Sequence, residues 1–220
     1  MTPGVVIGGV VIIGGGGHAK VVIESLRASG ETVAAIVDAD PTSREVLGVP
    51  VVGDDLVLPS LREQGISKLF VAIGENRLRE KLGRKGRELG FTLVNAIHPS
   101  AVVSPTARLG AGIAVMAGVA INADTHIDDL AIINTGAVVD HDCRLGAACH
   151  LGPASALAGG VTIGERAFLG VGARAIPGVT IGADTIVGAG GVVVRDLPDG
   201  VLAVGVPAQI RQTKIKGDRP

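Results

Sequence analysis

The sequence predicts a chain of two parts, a small open α/β sheet followed by a long parallel coil of very short strands. Three observations predict it. Strand and helix signals alternate over residues 1–95; an aliphatic residue then recurs at every sixth position from 97 to 193; and the 34 glycines supply tight turns to both stretches. The change of period sets the expected domains at 1–95 and 96–220.

At 220 residues the chain is long enough to bury a sizeable core. Nearly half the residues are hydrophobic (47%), yet only three are aromatic, all Phe. Such a core has to be filled by Val, Ile, Leu and Ala in narrow, regular layers. High aliphatic content with a net charge of −1 excludes a disordered chain. The same balance gives no electrostatic case for nucleic acid or an anionic membrane as partner. Two cysteines, Cys143 and Cys149, fit a reduced, cytoplasmic protein better than a disulfide scaffold. The apolar stretch 5–17 has no basic leader or A-x-A-like cleavage site and is too short to span a bilayer. It reads as a buried strand.

In the first part, residues 10–13 (VVII) form a short aliphatic run stopped by glycines, the pattern of a buried parallel strand. Residues 19–29 read as a helix closed by Gly30. Strands are expected at 33–37, 50–52, 69–73 and 91–95, with a charged surface helix over 76–89. Alternation of this kind implies a Rossmann-like parallel sheet.

Between the first strand and helix lie Gly14, Gly15, Gly16 and Gly17, then His18, Ala19 and Lys20. Gly14, Gly16 and Ala19 satisfy G-x-G-x-x-A, which lets backbone N–H groups approach a pyrophosphate at the positive end of a helix. Asp38 closes the second strand where an acid meets a ribose or base, and Asp40 could join it, although Asp40-Pro41 also reads as turn initiation. Gly74 ends the next strand at the same sheet edge, followed by Asn76 and Arg79 as a polar clamp or as solvated surface. So small a domain suits a nucleotide-sugar better than a dinucleotide.

From Ile97 the six-residue step passes through Val103, Leu109, Val115, Ile121, Ile127, Ile133, Val139 and onward to Val193. Sixteen of its seventeen positions are Ile, Leu or Val. Neither a helix nor a plain strand has that period. A short strand plus a turn, stacked in coils over one aliphatic core, does. Four residues after the aliphatic position sits a mostly small one, which points Cys143 and Cys149 inward as inert core thiols.

Of the five histidines, His98 and His126 read as structural, and His141 stands between Asp140 and Asp142. A neighbouring carboxylate orients an imidazole and raises its basicity, as a general base requires. With coils of eighteen residues, Gly159 stacks over His141 and could offer its N–H to a reacting carbonyl. His150 falls half a coil onward, on another face. Spacings of 15, 9 and 24 among His126, His141 and His150 lack the close histidine pair of a β-helix zinc site, so no metal is expected.

The period resembles that of the hexapeptide-repeat acyltransferases, which implies a left-handed parallel β-helix and a homotrimer with active sites between subunits. The segments 14–20, 72–74, 134–143, 148–152 and 205–208 together resemble the nucleotide-sugar N-acetyltransferases related to the sialic acid O-acetyltransferases, most closely members acting on GDP-perosamine. That resemblance implies acetyl-CoA as co-substrate, a 4-amino-4,6-dideoxy sugar as acceptor and a place in polysaccharide biosynthesis. It implies His141 as base with Asp142 supporting it, and Asn134 near the sugar. It further implies His150, Gly159, Gly170, Gly188 and Pro207 along acetyl-CoA, while Arg211, Lys214 and Lys216 suit the nucleotide end of CoA or equally a solvated basic tail. A UDP-linked amino sugar, O-acetylation of a sialic acid and a non-catalytic scaffold or sensor are the other readings.

Overall fold

The computed structural model describes residues 8–40 and 44–213. They divide into two compact units, one running to Pro99 together with Ala111–Ala114, the other comprising Ser100–Gly110 and the chain from Val115 on.

The first unit is built on a parallel four-stranded sheet in the order β2-β1-β5-β6, with β1 at Val10–Ile13, β2 at Val33–Val37, β5 at Lys68–Val71 and β6 at Thr92–Leu93. All residues of β1 and β2 are buried, as strands covered on both faces must be. Helix α1 (Gly17–Ala28) begins two residues earlier than expected, because Gly17 and His18 already form its first turn. The charged helix α3 spans Asn76–Glu88. The stretch expected as a strand at 50–52 is a small antiparallel pair, β3 (Glu45–Val46) with β4 (Val49–Pro50), and Val51 makes one bridge to Ile36. Helix α2 (Leu58–Glu63) escapes sequence reading, since six residues are too few to show a helical period.

The second unit is a left-handed parallel β-helix. Its two-residue strands pair with strands eighteen residues away, as Val138 does with Ala120 and Ala156, and so form three parallel sheets. We call the sheet containing His150–Leu151 face one, that containing Val138–Val139 face two, and that containing Arg144–Leu145 face three. The second residue of each strand points inward and the first outward: Val139, Leu145, Leu151 and Leu157 are buried beneath outward Val138, Arg144, His150 and Ala156. The expected small inward positions are buried too, including Thr125, Ala137, Cys143, Cys149, Ser155 and Ala173.

Most turns place the third residue after the aliphatic position at positive φ, as Asp124, Asp142, Ala148 and Gly160 illustrate. The residue directly after the aliphatic one differs by corner. Between faces three and one it is glycine in most coils, because a Cβ at Gly146 or Gly164 would lie within 2.7 Å of the next coil's backbone. Between faces two and three every coil carries a side chain there: Ser104, Asn122, Asp140, Ala158, Ile176 and Val194. This corner can display an unbroken column of side chains. The coil ends in a strand (Val201–Val204) that pairs back antiparallel with Gln209–Thr213 through the turn at 205–208.

Candidate active site

In the first unit the Gly-rich turn is tied to the end of β2. Gly15 N–H donates to Asp38 Oδ2, and Asp40 N–H donates to Asp38 Oδ1 at 2.9 Å. Both oxygens of Asp38 therefore hold backbone, and the expected turn at Asp40 is the loop they organise; Pro41 lies outside the described residues. Gly14 has φ +101°, and a Cβ there would meet Ile73 Cδ1 at 2.6 Å, so only glycine fits. Gly16 and Gly17 face open space, and Lys20 is exposed.

The expected surface clamp of Asn76 and Arg79 is corrected. Arg79 is buried (1% exposed), and its guanidinium donates to the carbonyls of Ile73 and Gly74 and to Asn76 Oδ1, at 3.0, 3.0 and 2.8 Å. It fastens the loop after β5 instead of reaching into solvent. His18 is mostly enclosed, with Nε2 buried and without a hydrogen-bond partner. Burial, and secondarily the positive Arg79, push its pKa down to about 4. It is neutral at physiological pH.

A cavity of about 330 Å³ opens at the C-terminal ends of β1 and β2, lined by Gly14, Asp38, Ile73, Leu78, Lys81 and Lys85 among others. Lys85 is paired with Asp55 at 2.6 Å on its rim. Ligands of open α/β sheets bind at this edge. Lys81, Lys85 and Asp55 carried no motif by which sequence reading could have found them.

On the β-helix, His141 stands at the corner between faces two and three. Its Nδ1 lies 2.7 Å from Asp142 Oδ2. A carboxylate only accepts, so Nδ1 bears the proton and Nε2 is left with the lone pair of a base. The hydrogen bond to Asp142, then the charge of Asp140, raises the pKa of His141 above the usual histidine value. The ring lies over Gly159: a Cβ built there would fall 2.6 Å from Cε1 and 2.7 Å from Nε2. Gly160 N–H donates to the His141 carbonyl at 2.9 Å, whereas the Gly159 N–H makes no hydrogen bond among the described residues. Cys143 points inward, donating to the Ala158 carbonyl at 3.3 Å, and burial raises its pKa. It is no nucleophile in that position.

Asn134 and His150 come together elsewhere, by face one. Asn134 Nδ2 lies 3.2 Å from His150 Nε2, while its Oδ1 accepts from Thr135 N–H at 2.8 Å and fixes the amide orientation. Phe168 meets the His150 ring edge-on, centroids 5.1 Å apart. Within one chain this pair and the His141 corner are on different parts of the prism.

Gly170 and Gly188 already donate their N–H groups to Val187 and Ala203 in the coil ladder. A Cβ at Gly170 would lie 2.6 Å from the Ala189 backbone N, and one at Gly188 would lie 2.8 Å from a Val204 methyl, so close packing favours glycine at both positions. Pro207 is exposed in the turn at 205–208, following a cis Val206–Pro207 bond. Arg211 is exposed, and Lys214 and Lys216 lie outside the described residues. Among the described residues no three metal-ligating side chains gather, and no helix is long and apolar enough to cross a membrane.

Comparison with known proteins gives this arrangement its class. The PglD N-terminal domain family matches residues 9–85. UDP-N-acetylbacillosamine N-acetyltransferase of Bacillus subtilis is 41% identical over 112 residues, 49% of this chain. That match spans only half (50%) of the curated relative's own length. The acetyltransferase domain of PglB from Neisseria gonorrhoeae, solved with acetyl coenzyme A, is 41% identical, with 93% of this chain and 100% of that one aligned at a TM-score of 0.87. The chain therefore belongs to the hexapeptide-repeat sugar N-acetyltransferases. Within them it is 85% identical to PerB of Caulobacter crescentus, over 94% of this chain and 99% of that one, with a TM-score of 0.92. PerB was solved in complex with CoA and GDP-perosamine, and so were its H141N and H141A mutants.

Proposed function

We propose that this chain transfers the acetyl group of acetyl-CoA to the 4-amino group of GDP-perosamine. The observation that carries the reading is the His141–Asp142 pair over Gly159, in a chain 85% identical to an enzyme solved with both ligands. Residues 1–95 bind the nucleotide-sugar, the cavity beside Asp38 taking the nucleoside and the Gly-rich turn the pyrophosphate. Residues 96–220 bind acetyl-CoA and carry the chemistry.

The neutral sugar amine attacks the thioester carbonyl carbon, forming the C–N bond, and His141 Nε2 takes the proton that the amine loses. The Gly159 N–H, which the coil leaves unengaged, donates to the developing oxyanion. Collapse of the tetrahedral intermediate breaks the C–S bond, and the proton held by His141 passes to the leaving thiolate. No covalent enzyme intermediate forms. No step requires a metal.

The outer faces support a homotrimer. Face three displays Arg108, His126, Arg144, Thr162 and Thr180, whereas face two displays Val102, Ala120, Val138, Ala156, Arg174 and Val192, with Val102 70% exposed. A strip that is apolar at every coil but that of Arg174, beside a polar one, marks the surface that subunits bury. Packing of neighbouring prisms would bring the Asn134–His150 pair of one subunit to the His141 of the next. The enzyme works in the cytoplasm and feeds a glycan pathway.

The test is thiol release from acetyl-CoA with GDP-perosamine, its UDP-linked analogue and a hydroxyl analogue, with mass spectrometry of the product. Acetylation of GDP-perosamine is expected. Turnover of the UDP-linked or hydroxyl sugar alone would overturn the reading. His141→Asn should lower turnover about 100- to 10,000-fold while nucleotide binding persists.

A further inference from the structure

We infer that Asp140, held by Asn122 of the preceding coil, is a positioning residue that fixes the His141 backbone and supplies the imidazole with a second negative charge. The inference rests on His141 acting as the base.

The coil ladder uses every other N–H at this corner: Asp140 N–H donates to the Leu157 carbonyl and Asp142 N–H to the Ala123 carbonyl, at 3.1 and 3.0 Å. The N–H of His141 falls between them and would be left out. Asp140 Oδ1 accepts it at 2.8 Å, and the same oxygen accepts the Asn122 amide at 2.9 Å. Asn122 precedes Asp140 by one coil, at a corner where every coil can display a side chain. The carboxylate is thus clamped from below by one side chain and locks the residue above it.

Neither hydrogen bond needs the charge. At the equivalent position between faces one and two, neutral Asn134 accepts the skipped N–H of Thr135 with its Oδ1 at 2.8 Å. An amide at 140 would accept from both donors equally well. The negative charge therefore has another consequence, which is to favour protonation of the adjacent ring. Facing His141 are Asp142 and Asp140 on its own turn, Asn122, Ala123 and Asp124 on the turn below, and the uncharged Ala158, Gly159 and Gly160 above. The Asn122 and His141 hydrogen bonds in turn lower the Asp140 pKa, so that the carboxylate stays ionised wherever the enzyme works.

The isosteric Asp140→Asn change separates charge from geometry. The His141 ring is titrated by NMR, assigned against His141→Asn, and the pH profile of kcat/KM is recorded on the same proteins. The midpoint should move to lower pH in Asp140→Asn, the acid limb of kcat/KM should follow it, and the plateau rate should fall several-fold as the base weakens. Asn122→Ala should move the midpoint in the same direction by less. An unchanged NMR midpoint in a folded Asp140→Asn protein overturns the inference. A midpoint that moves while the kcat/KM limb stays put upholds the tuning and overturns the general-base role of His141 instead.

Discussion

His141 of the β-helix and His18 of the α/β unit lie at opposite electrostatic extremes. His141 is exposed on a corner, flanked by two carboxylates that favour its charged form. His18 is enclosed beside a buried arginine, and both influences favour its neutral form. The difference follows from how each unit holds its backbone. A β-helix satisfies its backbone through neighbouring coils, so a corner with room for a Cβ, such as that between faces two and three, is free to carry the side chains chemistry needs. The α/β unit has irregular loops at the sheet edge, whose carbonyls need side-chain donors, and Arg79 is spent on them. His141 displays its charge. Arg79 spends its own on the fold.

The largest effect that tests this contrast is Arg79→Met, which keeps the apolar stem and removes the donors. Three acceptors lose their bonds, two of them loop carbonyls, and the first unit should lose about 3 kcal/mol of stability. Urea denaturation followed by a probe in each unit reads it; an unchanged midpoint would make Arg79 a surface residue after all. Next comes Gly159→Ala. A Cβ there would fall 2.6 Å from the His141 ring, which must swing away from its position over the glycine. Because Gly159 does not require positive φ, stability should change by less than about 1 kcal/mol. Turnover should fall roughly thirtyfold, as misplacement of a reacting group does. Full activity in a Gly159→Ala protein would separate the glycine from the chemistry.

The contrast also explains what could be read in advance. Eighteen residues make one coil, so simple counting places Gly159 over His141, turns Cys143 and Cys149 inward and sets His150 on another face. Register in a repeat is arithmetic. The same counting could have found Asn122 beneath Asp140. Arg79 could not be found so, because in the sequence of α3 it is one basic residue among several, and only the path of residues 73–76 decides which of them is swallowed. Asp38 shows the middle case. The motif marks the residue, but the structure shows its oxygens already holding Gly15 and Asp40. Gly170 shows the converse, since the backbone of the next coil leaves no room for a Cβ there whatever binds outside.

The smallest effect concerns His18. The unfolded histidine has a pKa of 6.5 and the folded one about 4. Between these values the unfolded chain takes up a proton that the native state does not, so stability falls as pH falls from 6.5 toward 4 and the contribution levels off below. Between pH 7 and 5.5 the loss attributable to His18 should be about 1 kcal/mol. His18→Gln removes the titrating group, and thermal unfolding of the variant should therefore lose less stability than the parent over that range. Arg79→Met should raise the His18 pKa part of the way by removing the secondary, electrostatic cause, and should flatten the same dependence in part. Parallel losses in parent and His18→Gln would mean that His18 is hydrated in the native state. The two histidines would then differ in their neighbours but not in their exposure to water.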